Sequence, residues 1–198
     1  MHKLSRKINN RAPNRVVGSF PSVKLGRMIK WDSQIERDLL YYLEFDDDVI
    51  EYFEQPIKFK YLHNHTYHYY FPDYEIRRKS TSKLKYVELK PESELLKNEI
   101  RLKYETIATA MDEAGHDFEI ITEKSLREEP RFSNLKLLNK YYRDKACPVL
   151  IGRVKRDIEN SFSSFLTLGE LASFEYLDKY DCYVLIANQV FSFDIDCR

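Results

Sequence analysis

No apolar run in the 198 residues approaches the ~20 that a membrane-crossing helix needs, so no span is expected. The opening MHKLSRKINNRAPNRVV is basic but has no apolar stretch behind its charges, which reads against a secretory leader. Cysteine is scarce. Cys147, Cys182 and Cys197 are too scattered for a zinc site or a disulfide framework, and a reduced, cytoplasmic protein is the expectation. There is no internal repeat and no low-complexity linker.

Charge is missing locally rather than globally, since 32 bases balance 32 acids. Residues 1–31 hold no acid but carry Lys3, Arg6, Lys7, Arg11, Arg15, Lys24, Arg27 and Lys30. Such an arm suits phosphate contacts, with Lys3, Arg6, Lys7, Arg11 and Arg15 as candidates; a solvated tail, or a leader ordered against the core, fits equally. Residues 161–198 hold only Lys179 and Arg198 against Glu170, Glu175, Asp178, Asp181, Asp194 and Asp196. That deficit argues against base reading there. Arg153, Lys155 and Arg156, a little earlier, are better equipped for phosphates.

The pattern of what is present is α/β. DSQIERDLLYYLEF reads as a helix with Ser33 as N-cap and Glu36 closing a capping box. PIKFKYL and TYHYYFPDYEI alternate as strands around an HNH turn, and KLKYVELKP is a third strand. SELLKNEIRLKYETIATAMDEAG is a long helix with Leu96, Ile100, Tyr104, Ile107 and Met111 on one apolar face, ended by Gly115. DFEIIT is a buried strand, which completes a mixed sheet. Beyond it SNLKLLNKYYRD, PVLIGRVKRDIENSF and TLGELASFEYL read as helices, the last capped by Thr167 and Glu170. CYVLIANQVFSFDID reads as two strands, so a small winged-helix domain is expected at the end. The divisions are a basic arm over 1–30, a catalytic domain over 31–124 and the winged-helix part over 125–198.

Asp73 follows Pro72 where a strand is ending. Glu88 and Lys90 are two apart on the next strand and share a face. If the strands pair, two carboxylates and the carbonyl of Leu89 form a hard oxygen site suited to Mg²⁺, with Lys90 beside it. A cross-strand charge cluster on a solvated face is the competing explanation. His63, His65 and His68 fall across a hairpin turn and read as exposed turn residues. Cys147, without a relay, reads as a packed thiol.

Pro72-Asp73 with Glu88-Leu89-Lys90 resembles the PD-(D/E)xK nuclease signature on a restriction-endonuclease-like core. FPSVKLGRMIKWDSQIERDLLYYLEFDDDVIEYFEQP, YYFPDYEI, VELKP and FEIITEKSLREEPRFSNLKLLNKYYR together resemble the TnsA endonucleases of seven-type bacterial transposons, over about residues 16–143. The resemblance implies a Mg²⁺-dependent endodeoxyribonuclease with two ions, Mn²⁺ substituting. It would cut the 5′ ends of the transposon, with the DDE transposase TnsB and the AAA+ ATPase TnsC as partners, double-stranded end DNA as substrate and the nucleoid as its place of action. It gives Glu36, Asp73, Glu88 and Lys90 catalytic roles, with Glu36, Asp73, Glu88 and Leu89 around the metal. Glu36 can cap its helix and serve the site together only if its carboxylate turns to the sheet. A stand-alone restriction- or repair-type nuclease and a non-cutting DNA-bound scaffold are the alternatives.

Overall fold

The computed structural model describes residues 16–63, 65–160, 166–191 and 193–197, and the chain divides into two compact units, Met1–Glu128 and Glu129–Arg198. The first unit opens with an antiparallel hairpin, β1 (Gly18–Ser22) and β2 (Arg27–Trp31). Its turn includes Gly26 at a φ of 62°. Gly18 is required for a different reason: a Cβ there would lie 2.3 Å from the Trp31 ring.

Over residues 18–31 this hairpin takes the alternative of a segment ordered against the core. Phe20, Ile29 and Trp31 alternate onto the core and bury themselves beside Leu39 and Leu40. Its bases are engaged as well. Lys24 Nζ donates to the carbonyls of Asp46 (2.6 Å) and Val49 (3.0 Å), and Arg27 forms a bidentate pair with Glu54 at 2.8 and 2.7 Å. Lys3, Arg6, Lys7, Arg11 and Arg15 lie outside the described residues.

Helix α1 (Gln34–Phe45) starts where Ser33 Oγ accepts the Glu36 N–H at 3.2 Å, a cap of about 1 kcal/mol. Leu39, Leu40 and Leu43 form its buried stripe. The strand β3 (Val49–Glu54) follows, which sequence reading missed. Then come β4 (Phe59–His63), β5 (Thr66–Tyr70), β6 (Tyr74–Arg78) and β7 (Lys85–Leu89). The expected single long helix is two, α2 (Glu92–Leu95) and α3 (Asn98–Glu113), with Leu96 exposed between them; β8 (Asp117–Ile121) and α4 (Glu123–Leu126) follow.

The central sheet has the order β3-β6-β7-β8, antiparallel except for the parallel pair β7/β8. It is therefore a mixed sheet in an α/β unit, consistent with a restriction-endonuclease-like core. The run TYHYYFPDYEI is not one strand. Phe71-Pro72-Asp73 divides it, so that β5 pairs with β4 in a separate hairpin and β6 enters the centre of the main sheet. Pro72 lacks a donor and suits this break.

Two apolar clusters enclose the sheet. One joins α1 residues to Tyr52, Tyr74, Ile76, Val87 and Leu89. The other joins Tyr104, Ile107 and Met111 of α3 to Tyr61, Tyr70 and Tyr86.

The second unit contains α5 (Arg131–Asn139), α6 (Pro148–Glu159), α7 (Leu168–Leu171) and α8 (Lys179–Ala187). The Thr167–Glu170 capping box is formed. The expected terminal hairpin is not: residues 179–187 are helical, and the described residues of this unit include no strand, so no wing. The physical reason is a second capping box, Asp178 with Asp181, which starts a helix just ahead of the apolar run. A run that short does not distinguish strand from helix by period, and packing decides it. Cys182 and Leu185 sit in a cluster with Val154, Leu171 and Leu177. Cys182 is thus a packed thiol, whereas Cys147 is exposed.

Candidate active site

Asp73 stands one residue before β6, and its backbone is fixed on both sides. Its N–H donates to the Val87 carbonyl at 3.0 Å, and its carbonyl accepts the Gln55 N–H at 2.8 Å. Tyr74 pairs with Val87, so the antiparallel register places Asp73 opposite Glu88 on the same face. Asp73 Oδ2 accepts the Leu89 N–H at 2.8 Å. Leu89 therefore joins the site through its amide N–H.

Glu88 is buried on the α3 side of β7, while its neighbours Val87 and Leu89 pack on the α1 side. Its Oε2 accepts the Tyr70 hydroxyl at 2.5 Å. Its Oε1 accepts the Tyr104 hydroxyl at 2.7 Å and lies 3.0 Å from Lys90 Nζ. Sequence reading missed both tyrosines as site residues. Tyr104 was visible only as part of an apolar helix stripe, and no signal marked Tyr70 among 15 tyrosines.

Glu36 is buried in the first turn of α1, with its carboxylate turned to the helix start. Oε2 accepts the Asp32 N–H at 2.8 Å, and Oε1 accepts the Ser33 hydroxyl at 3.0 Å. Its charge nevertheless reaches Asp73.

The electrostatics follow from this crowding. Burial, then Glu88, then Glu36 push the Asp73 carboxyl well above its ordinary range, against the Leu89 N–H and Lys90. Burial works against the Lys90 charge, but Glu88 and Asp73 more than offset it and its pKa rises. Lys90 is thus held as an ammonium, which suits charge stabilisation rather than proton abstraction. Burial, then Glu88, push the Tyr70 and Tyr104 phenols far up, so both remain O–H donors. Tyr74, fully buried beside Asp73 in sequence, has no hydrogen-bond partner for its hydroxyl.

Among the described residues no three His, Cys, Asp or Glu side chains converge as a ready metal cage. The donor chemistry still fits a hard cation: a buried Glu88 and a half-buried Asp73, mutually repelling and short of positive charge. Mg²⁺ commonly takes one or two carboxylates and completes its shell with water and substrate phosphate, so a full protein cage is not required. Asp73 and Glu88 are the residues that would hold it.

The remaining candidates lie elsewhere. His63 and His68 face one another across the β4/β5 hairpin at 6.0 Å between ring centroids, and exposed His65 sits in the turn at a φ of 57°. In the second unit Arg153 stacks over Tyr176 at 3.7 Å, and Arg156 Nε donates to the Gly152 carbonyl at 3.2 Å. Both are exposed, as is Lys155.

Two facing acids and a lysine thus meet at the strand ends of a mixed sheet in an α/β unit. Residues 46–123 match the family model described as TnsA-like endonuclease N terminal, a stretch that contains Asp73, Glu88 and Lys90 but not Glu36. Those residues are thus similar to the N-terminal domain of TnsA-like endonucleases, nucleases related to transposition. No curated protein matches the chain. No helix among the described residues is long and apolar enough to cross a membrane.

Proposed function

We propose that this chain is the Mg²⁺-dependent endodeoxyribonuclease subunit of a heteromeric cut-and-paste transposase, cleaving the 5′ ends of the transposon. The observation that carries the reading is the meeting of Asp73, Glu88 and Lys90 inside a domain of TnsA type. Its partners on this reading are end DNA, a DDE transposase of the TnsB kind and an AAA+ ATPase of the TnsC kind.

When bound, Mg²⁺ supplies Lewis-acid polarisation of a phosphoryl oxygen and eases deprotonation of water. Asp73 and Glu88 would hold it, with Glu36 adding negative charge from its helix cap. Tyr70 and Tyr104 fix the Glu88 carboxylate between them. Lys90, kept charged by Glu88, stabilises the charge that develops on the phosphoryl oxygens as water attacks in line and the opposite P–O bond breaks. The attacking water gives up its proton to solvent, and the leaving oxygen takes one from solvent.

The test is cleavage of a plasmid bearing transposon ends, with Mg²⁺, the transposase and the ATPase. We expect site-specific cuts in the full mixture that are lost in Asp73→Ala. The acidic surface around Glu175, and the absence of a base-reading wing among the described residues, favour delegation of end recognition to those partners. Accurate end cleavage by the isolated chain would instead establish a stand-alone nuclease.

A further inference from the structure

Residues 56–72 contain no Asp or Glu in a chain whose acids and bases balance. They carry Lys58 and Lys60 and three of the five histidines. Most of them form the β4/β5 hairpin, whose two strands pair only with each other.

The two faces of this hairpin differ sharply. The inner face buries Tyr61 and Tyr70 against α3 residues, and Tyr70 reaches Glu88. The outer face presents Lys58, Lys60, Leu62, Tyr67 and Tyr69, all exposed; Tyr67 is 64% accessible and Tyr69 56%. Each lysine there lies over a cross-strand ring, Lys58 Nζ 3.8 Å from the Tyr69 centroid and Lys60 Nζ 3.8 Å from that of Tyr67.

Such stacks stabilise an exposed hairpin by only about 0.5–1 kcal/mol each. They do not explain why two tyrosines and a leucine are left in water beside two lysines free of acidic neighbours on their own strands. A polyanion accounts for both. Ammonium groups neutralise phosphates, phenol hydroxyls donate to phosphate and sugar, and lysines already ordered on rings lose less freedom on binding. The strand that carries Tyr67 and Tyr69 ends three residues before Asp73.

We propose that the outer face of the β4/β5 hairpin is a backbone-contact surface for duplex DNA, feeding the strand to the site at Asp73 and Glu88. The inference rests on the nuclease reading above and adds the element that holds the substrate.

Binding of a fluorescent duplex to the full chain in EDTA, followed by anisotropy over a range of salt, reads this surface without cleavage. Lys58→Gln/Lys60→Gln should flatten the logarithmic salt slope by up to ~1.8, about 0.9 for each lost contact. At about 0.1 M salt that slope corresponds to an affinity loss of up to ~60-fold, and at least about tenfold is expected. The control Lys83→Gln/Lys85→Gln removes the same charge where Asp117 and Glu119 already pair it, and should change the slope far less. Melting curves establish that each variant is folded.

As an independent measurement, Tyr67→p-benzoylphenylalanine should photocrosslink to the duplex in the wild-type background. Unchanged affinity and slope in the lysine variant, or crosslinks only to the transposase in the full mixture, overturn the hairpin proposal and leave the nuclease reading intact. A wild-type chain that binds no duplex and cuts none with its partners overturns both.

Discussion

Asp73→Asn should make the protein more stable while removing its activity. Asp73 faces Glu88 across two strands and feels Glu36, and the one lysine of the group already lies 3.0 Å from Glu88. Neutralising Asp73 removes two repulsions. The Asn carbonyl oxygen can still accept the Leu89 N–H, so the backbone contact survives. Relief of this kind contributes about 1 kcal/mol, within the usual 0.5–2 for a single stabilising change. For a unit of this size that corresponds to roughly 3–6 °C in melting temperature. Asp73→Ala relieves the same repulsion but leaves a partly buried N–H unpaired, at about 1–3 kcal/mol, and should melt lower than Asp73→Asn and near or below the wild type. Calorimetry in EDTA near neutral pH reads all three proteins. Excess Mg²⁺ should then raise the wild-type melting temperature, by about 2.7 kcal/mol of stability at 100-fold over Kd, and not that of Asp73→Asn. The pH dependence has a fixed sign. The Asp73 pKa is raised on folding, so the wild type gains stability as pH falls through that raised value, and the advantage of Asp73→Asn fades toward pH 3.8. If Asp73→Asn melts at or below the wild type in EDTA, the carboxylates are not in mutual repulsion and the site as drawn is wrong.

Lys90→Ala should retain Mn²⁺ affinity by calorimetric titration yet cleave ~10²-fold slower, the scale of a lost charge-stabilising group; wild-type cleavage would make Lys90 a surface charge. In Glu36→Gln the amide oxygen can still accept the Asp32 N–H and Ser33 Oγ still caps the helix, so its melting temperature should stay near the wild type while cleavage with partners falls; full activity would confine Glu36 to the helix start. Gly18→Ala should cost about 1–3 kcal/mol in thermal unfolding because its Cβ meets the Trp31 ring, and an unshifted melt would mean that the hairpin does not pack as described. Leu185→Ala should cost about 2–5 kcal/mol in urea unfolding of the second unit, whereas an extended, surface-lying segment there would tolerate it.

The elements that could be read from the chain are those with punctuation. Ser33 with Glu36, Thr167 with Glu170, Pro148 and Gly115 each mark a helix end by a local chemical requirement. The β1/β2 hairpin was hidden because its bases outweighed its alternation. Lys24 and Arg27 look like phosphate contacts until the carbonyls of Asp46 and Val49 and the carboxylate of Glu54 are brought to them by folding. Residues 182–187 misled in the opposite sense. β-branched and aromatic residues suggested a strand, but Asp178 and Asp181 form a cap whose side chains could equally have been turn acids. Asp73, Glu88 and Lys90 were legible because Pro72 marks a strand end and a spacing of two fixes a face. The tyrosines were not, because hydrogen bonding to Glu88 depends on tertiary packing of β5 and α3, which no local spacing encodes.

The choice of tyrosine at those two places bears on the chemistry. A buried glutamate needs donors, and lysine or arginine would satisfy it at least as strongly as a phenol does. Two more cations would also cancel the negative charge that Glu36, Asp73 and Glu88 concentrate at the strand ends. The phenols hold Glu88 in place without adding charge, and burial keeps their protons on. With Lys90 as the only cation bonded to Glu88 among the described residues, the group retains an excess of carboxylate. That excess costs stability in the empty site, as the raised Asp73 pKa records, and it is what makes the site attractive to a divalent cation. The same network therefore orients the acid and preserves the field that would recruit the metal.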